Sequence, residues 1–242
     1  MISMKPLVII PTYNEAGSIR SIIENILDIP QHFIHILVVD DGSPDGTAEI
    51  VEGFKRSRVH LIKREGKSGL GSAYRAGLKW ALEHTEYTHI VTMDGDSSHR
   101  TSDLNRMLAR SSVYDLVIGS RWIPGGEVIN WPLSRRALSR AGSAYSRIAL
   151  GLPFRDVTGG YRVYSRKLIE KMEIEKISSE GYCFQIEMLF RAYRTKMKIT
   201  ESPITFVERR EGESKMSKAI VFEAVKKVSR WGIRYRLGLI KD

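Results

Sequence analysis

The stretch LVIIPTYNEAGSIRSIIENIL, residues 7–27, decides the fold. Four apolar, largely β-branched residues, Leu7 to Ile10, give way to a polar turn, after which Ile19, Ile22, Ile23, Ile26 and Leu27 recur at helical spacing. A second apolar run, Ile34 to Val39, follows. Strand, helix and strand in that order form a βαβ unit, which places the two strands parallel with the helix across one face. The pattern continues outward through Val59 to Ile62, Ile90 to Met93 and Leu116 to Ile118. A further helix is marked by Leu70, Tyr74, Leu78 and Leu82. The expectation is an α/β fold, a Rossmann-like, mainly parallel sheet flanked by helices.

In an open sheet of this kind ligands gather beyond the carboxyl ends of the strands. Three of those ends are polar: Pro11 to Glu15 after the first strand, Asp40 to Gly46 after the second, and Asp94, Gly95, Asp96 after the fourth. Two carboxylates one small residue apart, leaving a rigid strand, supply hard oxygen ligands suited to Mg²⁺ or Mn²⁺. Asp40 and Asp41 can accept hydrogen bonds from a nucleotide or can cap the helix expected from Thr47 to Phe54. No GxGxxG follows the first strand, which argues against a dinucleotide-dependent oxidoreductase.

The second half is less regular. Gly119 to Trp131 holds three Gly and a Pro and reads as a mobile loop; helices are expected from Arg135 to Leu150 and from Tyr182 to Tyr193, and a strand around Ile199 to Val207. In the last stretch Ile220, Val221, Ala224, Val225, Val228, Trp231 and Tyr235 share one helical face, with Lys226, Lys227, Arg230 and Arg234 largely elsewhere, the pattern of an amphipathic basic helix. We therefore divide the chain into a large domain, residues 1–217, and a C-terminal amphipathic basic helix, residues 218–242.

Charge supports that division. The net charge is +10, and Arg209 to Asp242 alone carries ten Lys or Arg against four acids. Such a block favours nucleic acid, an anionic membrane or phosphorylated substrates. The aromatic motifs of RNA-binding modules are missing, so no nucleic-acid partner is expected. No run of about eighteen apolar residues occurs, Met1 to Pro6 lacks the apolar block of a signal peptide, and the single cysteine, Cys183, suits a reducing compartment. The expected location is the cytoplasm.

Taken together, PTYNE at Pro11 to Glu15, DDGSPDGT at Asp40 to Thr47, DGD at Asp94 to Asp96 and GSR at Gly119 to Arg121 resemble the family 2 glycosyltransferases of GT-A fold. More narrowly, GKSGLGSAY at Gly66 to Tyr74, DVTGGYRVY at Asp156 to Tyr164, GYCFQIEM at Gly181 to Met188 and FVERREGESKMS at Phe206 to Ser217 resemble dolichyl or polyprenyl phosphate mannose synthases. The likeness runs in order along nearly the whole chain.

It implies inverting transfer of mannose from GDP-mannose to a polyprenyl monophosphate, with Mg²⁺ or Mn²⁺ as cofactor. Pro11, Tyr13, Glu15, Val39 and Asp41 fall where the family holds the nucleotide. Asp94, Gly95 and Asp96 fall where it holds the donor diphosphate. Asp94, Asp96 and Ser98 match the metal shell, Ser98 at a position that is Gln in some relatives. Asp96, Arg121, Arg209 and Lys215 match the catalytic positions, the three cations facing donor or acceptor phosphate. Since the lipid keeps the acceptor in the bilayer, the resemblance also implies a membrane-interface role for the C-terminal helix, the protein binding peripherally at the cytoplasmic face of a membrane or through a partner membrane protein. A lipid monophosphate is already anionic and needs no general base, and Gln185, where processive polysaccharide relatives carry an acid, cannot act as one. An alternative keeps the fold with another donor, such as UDP-glucose, or a saccharide acceptor with Glu187 or Asp156 recruited as base.

Overall fold

The computed structural model describes residues 4–30, 33–54, 57–208 and 218–239. Its main sheet has seven strands: β1 (Pro6–Thr12), β2 (His35–Asp40), β3 (Val59–Lys63), β4 (His89–Thr92), β5 (Leu116–Ser120), β7 (Arg162–Ser165) and β8 (Ile199–Pro203), in the spatial order β3-β2-β1-β4-β7-β5-β8. β1 runs parallel to β2 and β4, β2 to β3, and β5 to β8, while β7 is inserted antiparallel between β4 and β5. A second, two-stranded sheet pairs β6 (Glu127–Ile129) with β9 (Thr205–Val207).

β1 and β2 are buried on both faces because helices cover the sheet on both sides. Alternation still sorts their side chains. Leu7, Ile9, Leu37 and Val39 join the core under α3 (Leu70–Glu83) and α7 (Gly181–Arg194), whereas Val8, Ile10, Ile36 and Val38 join the core under α1 (Ile19–Leu27) and α4 (Thr101–Ser111). The remaining helices are α2 (Thr47–Glu52), α5 (Leu133–Leu150), α6 (Arg166–Lys171) and α8 (Lys218–Arg236). α8 reaches the first core through Val228, with Trp231 and Tyr235 packed beside it.

Three departures from the sequence reading have local causes. The loop expected from Gly119 to Trp131 contains β6. The single strand expected around Ile199 to Val207 is two, because Ile204 turns inward between sheets, its N–H donating to Ser120 O at 3.1 Å and its carbonyl accepting from Glu127 N at 3.0 Å. β7 was hidden because its first residue, Arg162, is wholly buried, donating to the carbonyls of Gln185 at 2.7 Å and Val157 at 2.9 Å. Arginine inside a strand defeats a reading based on hydropathy.

Candidate active site

The carboxyl ends of β1, β2 and β4 converge on one rim. There the chain twice adopts a left-handed backbone at residues other than glycine, Asn14 (φ 61°) and Ser97 (φ 60°), a conformation that costs energy and gathers at functional sites. Gly95 is required by closeness: a Cβ on it would lie 3.1 Å from Pro11 O and 3.2 Å from Thr12 Cγ2. Ser18 Oγ donates to Gly95 O at 2.6 Å, so the two acidic side chains stand on a turn tied to the start of α1.

Each carboxylate has its own support. Asp94 accepts from Tyr74 OH at 3.1 Å and lies 3.2 Å from His99 Nε2. His99 is buried against the edges of Tyr161 and Phe206, and that burial pushes its pKa down to about 4, Asp96 pulling upward and Arg121 downward. It is therefore neutral at pH 7, with Nε2–H donating to Asp94. Burial, then the nearby Asp94 charge, raises the Tyr74 phenol well above its usual range, so Tyr74 stays a donor. Asp96 Oδ1 accepts from Ser98 N at 3.1 Å and from Ser98 Oγ. Ser98 is only 1% exposed and its hydroxyl is engaged by Asp96. Its backbone N–H and hydroxyl together orient that carboxylate.

Asp94 and Asp96 stand at the junction of two cavities. The first, of ≈ 320 Å³, is lined by Pro11, Tyr13, Glu15 and Asp41, which sequence placed at a nucleotide, together with Lys67 and Gln185. Asp41 accepts from Arg64 Nη1 at 2.7 Å and from the N–H groups of Ser68 at 3.0 Å and Gly69 at 3.2 Å, which folds the Gly-rich loop against the cleft. The helix after it has Gly46, not Asp40 or Asp41, at its N-cap, and Asp45 Oδ1 accepts from Thr47 N at 3.1 Å. Lys67 Nζ lies 4.4 Å from the centre of the Tyr13 ring. Val39 is the exception among the expected nucleotide residues: its side chain is 0% exposed and packs in the core against the Gly77 position of α3.

The second cavity, of ≈ 200 Å³, begins at the same two carboxylates with His99, Arg121 and Arg135, and continues between α5 and α8 past Leu138, Tyr145, Val225 and Val228. Arg121 is 7% exposed and gripped by the wholly buried Asp156: Nε–Oδ2 2.7 Å, Nη2–Oδ1 2.7 Å, and backbone N–Oδ2 2.9 Å. Burial pushes the Asp156 carboxyl up, but the charge and hydrogen bonds of Arg121 outweigh it and hold the pKa below the usual carboxylate range. Arg135 pairs with Glu208 and lies 4.4 Å from the centre of the Trp131 ring. Glu187 accepts from Ser179 N, Ser179 Oγ and Arg191. Asp156 and Glu187 are thus both committed to structural partners, which argues against either as a base for a saccharide hydroxyl.

Sequence reading missed Tyr74, His99 and Arg135 as neighbours of the site; the Asp-to-His spacing in DGDSSH at Asp94 to His99 was the available signal. Arg209 and Lys215 lie outside the described residues. Among the described residues no three His, Cys, Asp or Glu side chains are grouped to hold a metal ion. The two hard carboxylates on a rigid, polar rim nevertheless fit a divalent cation that shares its shell with a diphosphate.

Paired acidic and basic groups thus stand at the strand ends of an α/β fold, and comparison with known proteins gives the family. Residues 7–173 match the family "Glycosyl transferase family 2". The chain belongs to that family and is a glycosyltransferase. It is similar to a polyprenol monophosphomannose synthase of Mycolicibacterium smegmatis, with 46% identity over 97% of this chain and 89% of that protein. It is also similar to an undecaprenyl-phosphate mannosyltransferase of Micrococcus luteus, with 47% identity over 98% of this chain and 100% of that protein. Among solved structures, glucosyl-3-phosphoglycerate synthase from Mycobacterium tuberculosis, in complex with Mn²⁺, UDP and phosphoglyceric acid, superposes with a TM-score of 0.68 at 18% identity, covering 99% of this chain and 80% of that one. That likeness establishes the GT-A type of fold.

Proposed function

We propose that this glycosyltransferase moves mannose from GDP-mannose to a polyprenyl monophosphate with inversion, forming a polyprenyl phosphate mannose at a membrane surface. The observation that carries the reading is the second cavity. It starts at two carboxylates and two arginines and ends as an apolar corridor between α5 and α8, the two ends an amphiphilic phosphate requires. The names of the relatives from M. smegmatis and M. luteus support the same acceptor and sugar.

In this reading the first cavity takes the nucleotide sugar. Asp94 and Asp96 would hold Mg²⁺ or Mn²⁺, which supplies positive charge to the donor diphosphate. An acceptor phosphate oxygen attacks the anomeric carbon from the side opposite the diphosphate; the new C–O bond forms as the old one breaks, and GDP leaves with the electron pair. No proton has to be removed, which suits a site whose buried Asp156 and Glu187 are both tied up. Arg121 is held rigid by Asp156, so it can meet phosphate charge without reorganising. We assign Arg209 and Lys215 to the same task. Among the described residues no helix is long and apolar enough to cross a membrane. Access to the acceptor is therefore assigned to peripheral docking at the cytoplasmic face, alone or with a membrane partner protein.

The test offers the protein labelled GDP-mannose, GDP-glucose, UDP-glucose or UDP-GlcNAc with polyprenyl phosphate and Mg²⁺ or Mn²⁺, followed by lipid extraction. We expect label in the lipid phase from GDP-mannose only, and none with excess chelator. Preference for a uridine donor, or transfer to a saccharide in place of the lipid, overturns the assignment.

A further inference from the structure

Gln185 lies one turn into α7 and is only 3% exposed, yet neither its Nε2 nor its Oε1 has a hydrogen-bond partner. Its side chain lines the first cavity. Gly160 faces it from the β7 side: a Cβ there would sit 3.1 Å from Gln185 Nε2 and 3.6 Å from Asp94 Oδ1. The amide and the Asp94 carboxylate therefore flank one small space, open because residue 160 is glycine, where the two cavities meet.

The position is rigidly held. Arg162 Nη1 donates to the Gln185 carbonyl at 2.7 Å, and the adjacent Phe184 stacks on Tyr74, ring centres 5.7 Å apart, the same Tyr74 that donates to Asp94. A buried primary amide left unpaired is costly to keep, and its vacant donor and acceptor point to a ligand that supplies both. Adjacent hydroxyls of a sugar ring do so, since each can give and accept a hydrogen bond.

We infer that Gln185 positions the transferred hexose by hydrogen bonding its ring hydroxyls, so that this amide, and not the nucleotide contacts, selects the sugar. The inference rests on the proposed use of the first cavity for a nucleotide sugar. It also gives the amide a task distinct from that of a base: it fixes the anomeric carbon between the diphosphate near Asp94 and Asp96 and the attacking phosphate near Arg121.

The experiment compares wild type, Gln185→Met and Gln185→Asn. Calorimetry with GDP and with GDP-mannose in Mg²⁺ is set beside turnover of GDP-mannose and its 2-, 3- and 4-deoxy analogues. For Gln185→Met we expect GDP affinity within about twofold of wild type but GDP-mannose affinity down roughly tenfold. We also expect kcat/KM for the donor down about 10- to 100-fold, with KM for polyprenyl phosphate unchanged. The penalty should shrink for the two analogues that each lack one of the adjacent hydroxyls the amide holds and stay whole for the third, and Gln185→Asn, a methylene short, should fall between. Unliganded Gln185→Met should melt no lower than wild type, and roughly 2–4 °C higher if relief of the unpaired amide dominates. Equal losses for GDP and GDP-mannose, or unchanged discrimination among the deoxy donors, overturn the inference. If wild type turns over a different nucleotide sugar, the donor assignment fails while the role of the amide is read on that sugar.

Discussion

Asp94 and Asp96 are held by different neighbours, so removing those neighbours has unequal consequences. Asp96→Ala removes an acidic oxygen pair outright and should nearly abolish turnover. Ser98→Ala leaves the carboxylate but frees it to rotate, and a loss of roughly tenfold in kcat/KM at saturating Mg²⁺ is expected, the usual cost of losing an orienting partner. Equal damage from both would make Ser98 a ligand after all. Arg209→Ala should also impair transfer strongly, measured by label reaching the lipid. Asp156→Asn strips Arg121 of its buried counter-charge and should cost about 3–5 kcal/mol in chemical denaturation, since an unpaired buried cation is what remains. Away from the site, His35, His60 and Tyr87 share a cluster in which His35 Nδ1 is 3.3 Å from His60 Nε2 and 3.1 Å from Tyr87 OH. Burial first, then Lys5, His60 and Arg58, pushes the His35 pKa down to about 4, and burial first also lowers that of His60. Because the folded pKa lies below the ordinary 6.5, the unfolded chain takes up protons first as pH falls, and stability present above pH 6.5 drains away between there and about 4. The gap corresponds to about 3 kcal/mol at most. Melting curves at pH 7, 6, 5 and 4.5 should fall accordingly, with a shallower fall in the His35→Gln, His60→Gln double variant.

Elements built from apolar runs were legible because two-sided burial leaves little ambiguity: β1 to β5, α1, α3 and α7 all stand where the spacing placed them, to within a few residues. β7 and α4 were not legible. The first hides a buried arginine, and the second, TSDLNRMLARS, shows only Leu104, Met107 and Leu108 as an apolar signal. α8 was foreseen as a helix, but Trp231 and Tyr235, which the sequence reading assigned to the membrane, are turned toward the protein. Tyr235 meets Phe190 edge-on with ring centres 5.3 Å apart. Among the described residues, the outward apolar side chains are Val225 and Ile233 on α8 and Leu237 and Leu239 just beyond it. α8 crosses α5 where a Cβ on Gly232 would lie 2.3 Å from Ala149 O, and Tyr145 OH meets Ser229 Oγ at 2.5 Å. That contact makes a sharp prediction at the scale of the helix pair. Gly232→Leu must lift α8 from α5 and so disturb Ala224, Val225 and Val228, which wall only the second cavity. GDP binding should survive within about twofold while KM for polyprenyl phosphate rises at least roughly tenfold. Parallel losses of both would show that α8 supports the whole fold, not the acceptor corridor alone.

At the scale of the molecule, the site was legible as a rim and not as a geometry. The acidic turn and the polar loops after β1 and β2 could be placed together because sheet topology forces strand ends together, whereas Arg121 was singled out by the family resemblance. The grip of Asp156 on Arg121 and the unpaired amide of Gln185 depend on packing between residues far apart in sequence, which no local pattern records. Membrane approach poses the same kind of question. α5 and α8 lie side by side and expose Leu133, Leu138, Ile148 (75%) and Ile233 (60%), with Leu237 just beyond α8, flanked by arginines of both helices, on a chain of net charge +10. Apolar side chains among cations suit an anionic bilayer surface, the apolar groups entering the headgroup boundary and the arginines meeting lipid phosphates. The apolar corridor that we assign to the polyprenyl chain is lined by these same two helices, so docking would place its walls against the lipid that carries the substrate. Vesicles with anionic lipid should therefore retain the protein at low salt and release it as ionic strength rises. Ile233→Glu with Leu237→Glu should weaken retention at least roughly tenfold, because two apolar anchors become charges of the wrong sign. The same pair should slow transfer to long-chain polyprenyl phosphate in vesicles yet leave transfer to a short, water-soluble polyprenyl phosphate near wild-type rates. Equal slowing with both acceptors would mean that these residues serve the chemistry or the fold, and the docking face would have to be sought elsewhere on the molecule.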